Sequence, residues 1–323
     1  MMRPMMLAAA LAMATPAFGD PSFWSSEWPN TDFTQTSVSW TEVLSGGPPK
    51  DGIPALFANQ ITFGPVSDSE IPDREPVMTV EIDGHAARAY PVRYLTWHEI
   101  VNDRIGDVPV TVTFCPLCNS AIVFDGRLDG AEYTFGVSGK LRNSDMIMYD
   151  HTTESWWQQF TGEAIVGELL GKELTTLPAI LESHAAFEAR HPGGSVMNQP
   201  THVLRRYGAN PYVGYDSSYS PFLYNGERPP HDIEPLARVV RVGANAWPLE
   251  RLRGAGTLEE AGVRLVWEEG QASALDTRSI DEGKEVGNVR VFDAATDAPS
   301  VYEVVFAFAF HAFEPEGTWH LGQ

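Results

Sequence analysis

Short runs of alternating apolar and polar residues dominate the chain, and long helical periods are absent from it. Pro76 to Ile82 and His85 to Pro91 read as two strands joined by Asp83-Gly84, the dipeptide that most strongly signals a hairpin. Val92 to Arg104 places apolar residues at Val92, Leu95, Ile100 and Val101, which predicts a helix ending before Gly106. Val108 to Phe114 alternates strictly, as a half-buried strand does, and delivers Cys115 at its end. Asn119 to Asp125 resumes apolar, turn residues fill Gly126 to Gly130, and Ala131 to Val137 reads as the return strand. The Cys115-Pro116-Leu117-Cys118 motif therefore falls in a tight loop inside a sheet. Gly136 to Asp145 reads as a Gly/Ser loop, and Met146 to Asp150 as a short strand. Pro192 to Tyr224 is loop-like and tyrosine-rich, and Val289 to Phe313 returns to strands.

Ala89-Tyr90-Pro91-Val92-Arg93-Tyr94-Leu95 aligns with Ala246-Trp247-Pro248-Leu249-Glu250-Arg251-Leu252 in small, aromatic, proline, aliphatic and leucine positions. Either the hairpin-plus-helix unit is duplicated or seven residues match by chance. The fold class that follows is α+β and β-rich: a large, mostly antiparallel sheet module with a few short helices. Asp20 to about Lys50 lacks a period and carries Phe23, Trp24, Trp28 and Trp40, as an extended lead-in that packs its aromatics on the body. A single domain is expected from residue 51 to 323.

Acidic residues outnumber basic ones 43 to 22, giving a formal charge of −21 with no Lys/Arg-rich run. Such a surface repels polyphosphates, so nucleic acid is excluded as a partner. Met1 to Gly19 has one basic residue at Arg3, an apolar run from Met5 to Met13 and small residues around Ala17-Phe18-Gly19, the pattern of a cleaved signal peptide. A membrane anchor would need about 20 uninterrupted apolar residues. The most apolar later segment, Val301 to Phe313, contains Glu303 and His311, so no span is expected in the mature chain. The expectation is a periplasmic or secreted protein.

Four ordered motifs then carry a family likeness: His98-Glu99-Ile100-Val101-Asn102-Asp103, Phe114-Cys115-Pro116-Leu117-Cys118, Phe135-Gly136-Val137-Ser138-Gly139-Lys140-Leu141, and Met148-Tyr149-Asp150 followed by Thr153, Ser155, Trp157 and Gln158. In this order they resemble the bacterial and archaeal family catalogued as domain of unknown function 3179, over roughly Pro48 to His320. The resemblance implies an exported or membrane-associated module and brings no reaction with it. His151 departs from the pattern, which has Arg after Tyr-Asp.

Cys115 and Cys118 are the two cysteines of the chain. Two thiolates separated by two residues chelate one soft metal, and a tight turn places both sulfurs on one side. Further ligands must come from elsewhere. His98 is the leading third ligand; Glu99, Met146, Met148 and His311 follow, and the set suits copper or zinc. The alternatives are a dithiol oxidoreductase in which Cys115 attacks, and a structural disulfide within a ligand-binding module. In the module, Trp156, Trp157, Tyr212, Tyr215, Tyr219 and Tyr224 would offer a stacking face. An enzyme on the polar set would use His98 and Glu99 with Asn102 one helical turn away, and Ser138, Lys140, Ser144, Asp145 and Asp150 as further site candidates. No nucleotide cofactor is expected: Gly136 to Gly139 matches neither a phosphate-binding nor a dinucleotide pattern, and it lacks the spacing of a nucleophile elbow.

Overall fold

A computed structural model describes residues 21–201 and 205–322. The signal peptide expected at residues 1–19 lies outside the described residues. The principal strands are β1 (Pro76–Val80), β2 (Arg88–Pro91), β3 (Ile100–Ile105), β4 (Val108–Cys115) and β5 (Ser120–Asp125), with helix α1 (Val92–His98) between β2 and β3. Next come β6 (Phe135–Arg142), β7 (Asp145–Asp150), β8 (Trp156–Gln158), β9 (Ala164–Val166), β10 (Ala179–Ser183), α2 (His184–Arg190) and β11 (Ser195–Met197). The last third holds β12 (Arg238–Val242), β13 (Asn245–Pro248), α3 (Leu249–Ala255), β14 (Thr257–Glu260), β15 (Val263–Glu268), β16 (Asn288–Asp293), β17 (Glu303–Phe306), α4 (Ala307–Phe313) and β18 (Thr318–Trp319). The molecule is α+β and β-rich, with mostly antiparallel pairing and four short helices among the described residues.

The duplicated hairpin-plus-helix unit extends well beyond the seven aligned residues. The hairpin β1–β2 is flanked by β10 on one side and, in parallel, by β11 on the other. The hairpin β12–β13 is flanked in the same way by antiparallel β17 and parallel β18. Each hairpin runs into a seven-residue helix entered through a proline, Pro91 or Pro248. Each helix leads to an antiparallel meander, β3–β4–β5 or β14–β15–β16. The returning helices α2 and α4 end alike, at His191 with φ −130 and Glu314 with φ −127, and bury Phe187 and Phe310 at equivalent places. Gly194 and Gly317 follow them, and a Cβ on either would meet that phenylalanine ring at 2.6 and 2.5 Å. Glycine is required at both positions by this close approach.

The halves lock together reciprocally: β5 packs on β17, and β16 on β10. Phe306 N donates to Cys118 O at 2.9 Å, while Ser183 N donates to Asn288 Oδ1 at 2.7 Å. The principal hydrophobic core draws on both halves, from Val77, Leu95 and Phe124 to Val305 and Phe308. A smaller one fills the second half around Trp247, Leu252 and Leu265.

Residues 126–175 are inserted into the first half alone. Their strands form a sheet in the order Val43–Ser45, β6, β7, β8, β9. Trp24, Phe33 and Trp40 from the lead-in gather around Trp156, and Trp28 packs edge-on against Tyr149.

Three local expectations are corrected. The helix from Val92 stops at His98, because Glu99 has φ +59 and the β-branched pair Ile100 and Val101 enters β3. Asn102 therefore sits on a strand and not one helical turn from His98; its side chain pairs with Phe135 N and O, both at 2.8 Å. Of the Gly/Ser loop expected at 136–145, residues 136–142 are strand, with a bulge between Val137 and Lys140, and only Asn143-Ser144 turn before β7 begins at Asp145. At the bulge the Ser138 hydroxyl donates to Ile147 O and accepts from Lys140 N at 3.0 Å, replacing ladder bonds that the bulge removes. Finally, Ala307–Phe313 is helix α4 and not strand, so His311 lies on a helix.

Candidate metal centre

Strand β4 ends at Cys115, and the chain turns through Pro116, Leu117 and Cys118 before β5. Cys118 N donates to Cys115 O at 3.3 Å, and Asn119, at φ +51, closes the turn. Asn119 Nδ2 reaches Val304 O at 2.7 Å, so the second half anchors the turn. Against it stands the β6–β7 hairpin, whose two-residue turn Asn143-Ser144 has φ +51 and +62, the left-handed geometry that matches strand twist. Asp145 is the first residue after that turn.

Cys115 Sγ, Cys118 Sγ and a carboxylate oxygen of Asp145 all lie within 4.8 Å of one another, and all three residues are buried. Both cysteines are free thiols. The disulfide considered from the sequence is therefore not formed, and Cys115 points its weak S–H donor toward Ser144 O at 3.9 Å. Asp145 Oδ2 accepts from Gln158 Nε2 at 2.6 Å and from Phe160 N at 3.0 Å. Its Oδ1 is buried with no hydrogen-bond partner among the described residues. Burial raises the Asp145 carboxyl to about 6 against the pull of those donors and of the two neighbouring thiols. Burial likewise raises the Cys115 thiol, and raises Cys118 far more, because Cys115 and Asp145 add to the same effect.

Beside this cluster stands Glu99, buried and pushed up to about 8 by desolvation, with Tyr212 opposing the shift and Asp145 adding to it. Tyr212 Oη lies 3.4 Å from Glu99 Oε1. The tyrosine-rich segment between the halves straps the turn from outside. Tyr215 Oη donates to Leu117 O at 3.0 Å and accepts from Phe222 N at 3.2 Å, while the Ser144 hydroxyl donates to Phe222 O. A cavity of about 350 Å³ opens under this strap, walled by Glu99, Leu117, Met146, Tyr212, Tyr215 and Phe222 among others.

Thus the structure brings Cys115, Cys118 and Asp145 together and sets Glu99 nearby. It does not bring His98 to them: His98 Nδ1 bonds Pro54 O and Nε2 bonds Tyr207 Oη, each at 2.7 Å. Met148 lies in β7 opposite Val137 and Trp157, within the principal core. His311 is on α4, outside the group formed by the cysteines and Asp145. Lys140 is buried on the cavity wall, with Nζ 3.4 Å from Glu27 Oε2. Asp150 is a turn hub that accepts from Thr152 N, Thr153 N and Oγ1, and Trp157 Nε1. Phe222 escapes a reading of the residues alone, because only the strap carries it to the site, and Gln158, named in the sequence as a motif residue, meets Asp145 only through the strand pairing.

No curated protein and no solved structure matches the chain. The sequence profile of the family described as Protein of unknown function (DUF3179) matches residues 50–317, through both halves and the insertion that carries Asp145, and the chain belongs to that family.

Proposed function

We propose that the protein binds a metal ion, zinc in the first instance, through Cys115, Cys118 and Asp145. One observation carries this reading: three acidic side chains are buried with their ligand atoms within 4.8 Å, and Asp145 Oδ1 is left without a hydrogen-bond partner among the described residues. Burying such groups together is costly unless something compensates them, and a divalent cation does so while displacing the thiol protons. Two sulfurs and one carboxylate oxygen form a donor set suited to Zn²⁺; a carboxylate is a poor partner for Cu(I). If the expected signal peptide exports the chain, this site operates in the periplasm or outside the cell.

Thiol–disulfide exchange has less support. A reactive CxxC needs a stabilised thiolate, whereas burial holds both thiols in the protonated form and β5, not a helix, follows Cys118.

The test is metal analysis by mass spectrometry on full-length protein purified without a metal-affinity tag. Near-stoichiometric zinc, lost in Cys115→Ser and in Asp145→Asn, is the expected result. Stoichiometric copper would replace the metal but keep the site. Protein that carries no metal and takes up neither ion on titration would overturn the reading.

A further inference from the structure

The Glu99 carboxyl is held at a double disadvantage: it is buried, and its backbone has φ +59, a conformation that favours glycine. Its equivalent in the second half is Gly256, with φ +71. Among the described residues the carboxyl has one hydrogen-bond partner, Tyr212 Oη at 3.4 Å, and no Lys, Arg or His pairs with it. The basic residue on the same cavity wall, Lys140, directs its ammonium to Glu27 and over the Trp24 ring. The cavity itself has the size of small-molecule sites, and Ile53, Leu117, Val137, Leu141 and Met146 make most of its wall apolar.

We propose that this cavity binds a small organic amine, its protonated head held by Glu99 between Tyr212 and Tyr215 and its apolar body packed on the aliphatic wall. Burial keeps the Glu99 carboxyl protonated in the empty cavity, and an ammonium head supplies the partner that lets it ionise there, with the tyrosine rings attracting the cation further. An anionic ligand would meet Glu99 and the neighbouring Asp145, and would approach a chain of formal charge −21. A neutral alcohol would leave Glu99 as the protonated carboxyl that burial favours and would gain no charge pairing from it. The site does not depend on the metal, because Glu99 and the cavity wall lie outside the Cys115, Cys118 and Asp145 group.

The experiment titrates full-length protein, metal-loaded and chelator-treated, with hexylamine, hexanol and hexanoate by calorimetry, with metal content measured on the same samples. Hexylamine is expected to bind saturably and at least tenfold more tightly than the other two. Glu99→Gln is expected to lower amine affinity at least tenfold with metal content unchanged, and Ile53→Trp, which narrows the cavity, to weaken it. Equal affinity for all three probes would overturn the proposal, as would wild-type amine affinity in Glu99→Gln. If Glu99→Gln fails to fold, Ile53→Trp decides: wild-type amine affinity there overturns the proposal. Amine binding in protein that takes up no metal would leave this site standing and remove only the metal reading.

Discussion

Glu99 and Gly256 occupy the same place in the two halves of the molecule. Each follows a seven-residue helix, with φ +59 and +71, and each N–H closes that helix on the carbonyl of Leu95 or Leu252. Each carbonyl then accepts from the next strand but one, from Phe114 N or Trp267 N, both at 2.8 Å. One backbone device serves two sequences, and only one of them uses glycine. A non-glycine residue in such a conformation costs about 1–3 kcal/mol, so the side chain at 99 is maintained against the fold's own preference.

Replacing Glu99 by Gly should therefore raise stability. Glycine's extra freedom in the unfolded chain offsets about 0.5–1 kcal/mol of the relief, but a buried carboxyl is removed as well. The gain should also depend on pH. Glu99 holds its proton up to about 8 when folded and releases it near 4.5 when unfolded, so its penalty is absent below 4.5 and grows as pH rises to 8. Urea unfolding of metal-free protein should show a larger gain at pH 8 than at pH 5; a gain equal at both would place the Glu99 carboxyl in water.

The strands were readable because their signals are local. Val108 to Phe114 alternates, and Asp83-Gly84 marks a hairpin whose strands pair from Val77 with Pro91 to Val80 with Arg88. The repeat left a seven-residue trace because its remaining likeness lies in pairing order, which unlike sequences satisfy equally. The third member of the candidate cluster is harder to assign from the sequence. Asp145 is 27 residues beyond Cys118, and only the left-handed turn at Asn143-Ser144 folds it back. His98 looked the better ligand by residue type, yet its two ring nitrogens are engaged by Pro54 and Tyr207, partners that no local pattern reveals.

The same duplication identifies a cost at His184. This first residue of α2 is buried with neither ring nitrogen hydrogen-bonded among the described residues, and its counterpart at the start of α4 is Ala307. Burial lowers the His184 pKa below 6.5. The unfolded chain then binds the proton first, so stability is full above 6.5 and falls as pH drops below it. His184→Ala should flatten the acid side of the stability curve measured by thermal unfolding between pH 5 and 7. An unchanged curve would show that His184 does not titrate in that window.

Ser144 joins the β6–β7 turn to the strap, since its hydroxyl bonds Phe222 O while its backbone sits at φ +62. Ser144→Gly gives the turn the Asn-Gly dipeptide that suits it best, while removing the tie. The two consequences separate by region. Hydrogen exchange should show faster amides in Tyr215 to Phe222 and undiminished protection of β6 and β7. Uniform loss across both would mean that the hydroxyl supports the hairpin itself.

Proton release on metal uptake tests the ligand set directly. At pH 7 the metal-free site carries protons on Cys115 and Cys118, both raised by burial, whereas Asp145, at about 6, has mostly lost its own. Ligands must be deprotonated to bind, so zinc uptake should release about two protons at pH 7 and approach three at pH 5. Calorimetry in buffers of different ionisation enthalpy gives the count, with Glu99→Gln as background so that the neighbouring carboxyl contributes none. A count that stays at two from pH 7 to pH 5 in the Glu99→Gln background would remove Asp145 from the coordination sphere and leave the two thiolates to hold the ion with a ligand from outside the trio.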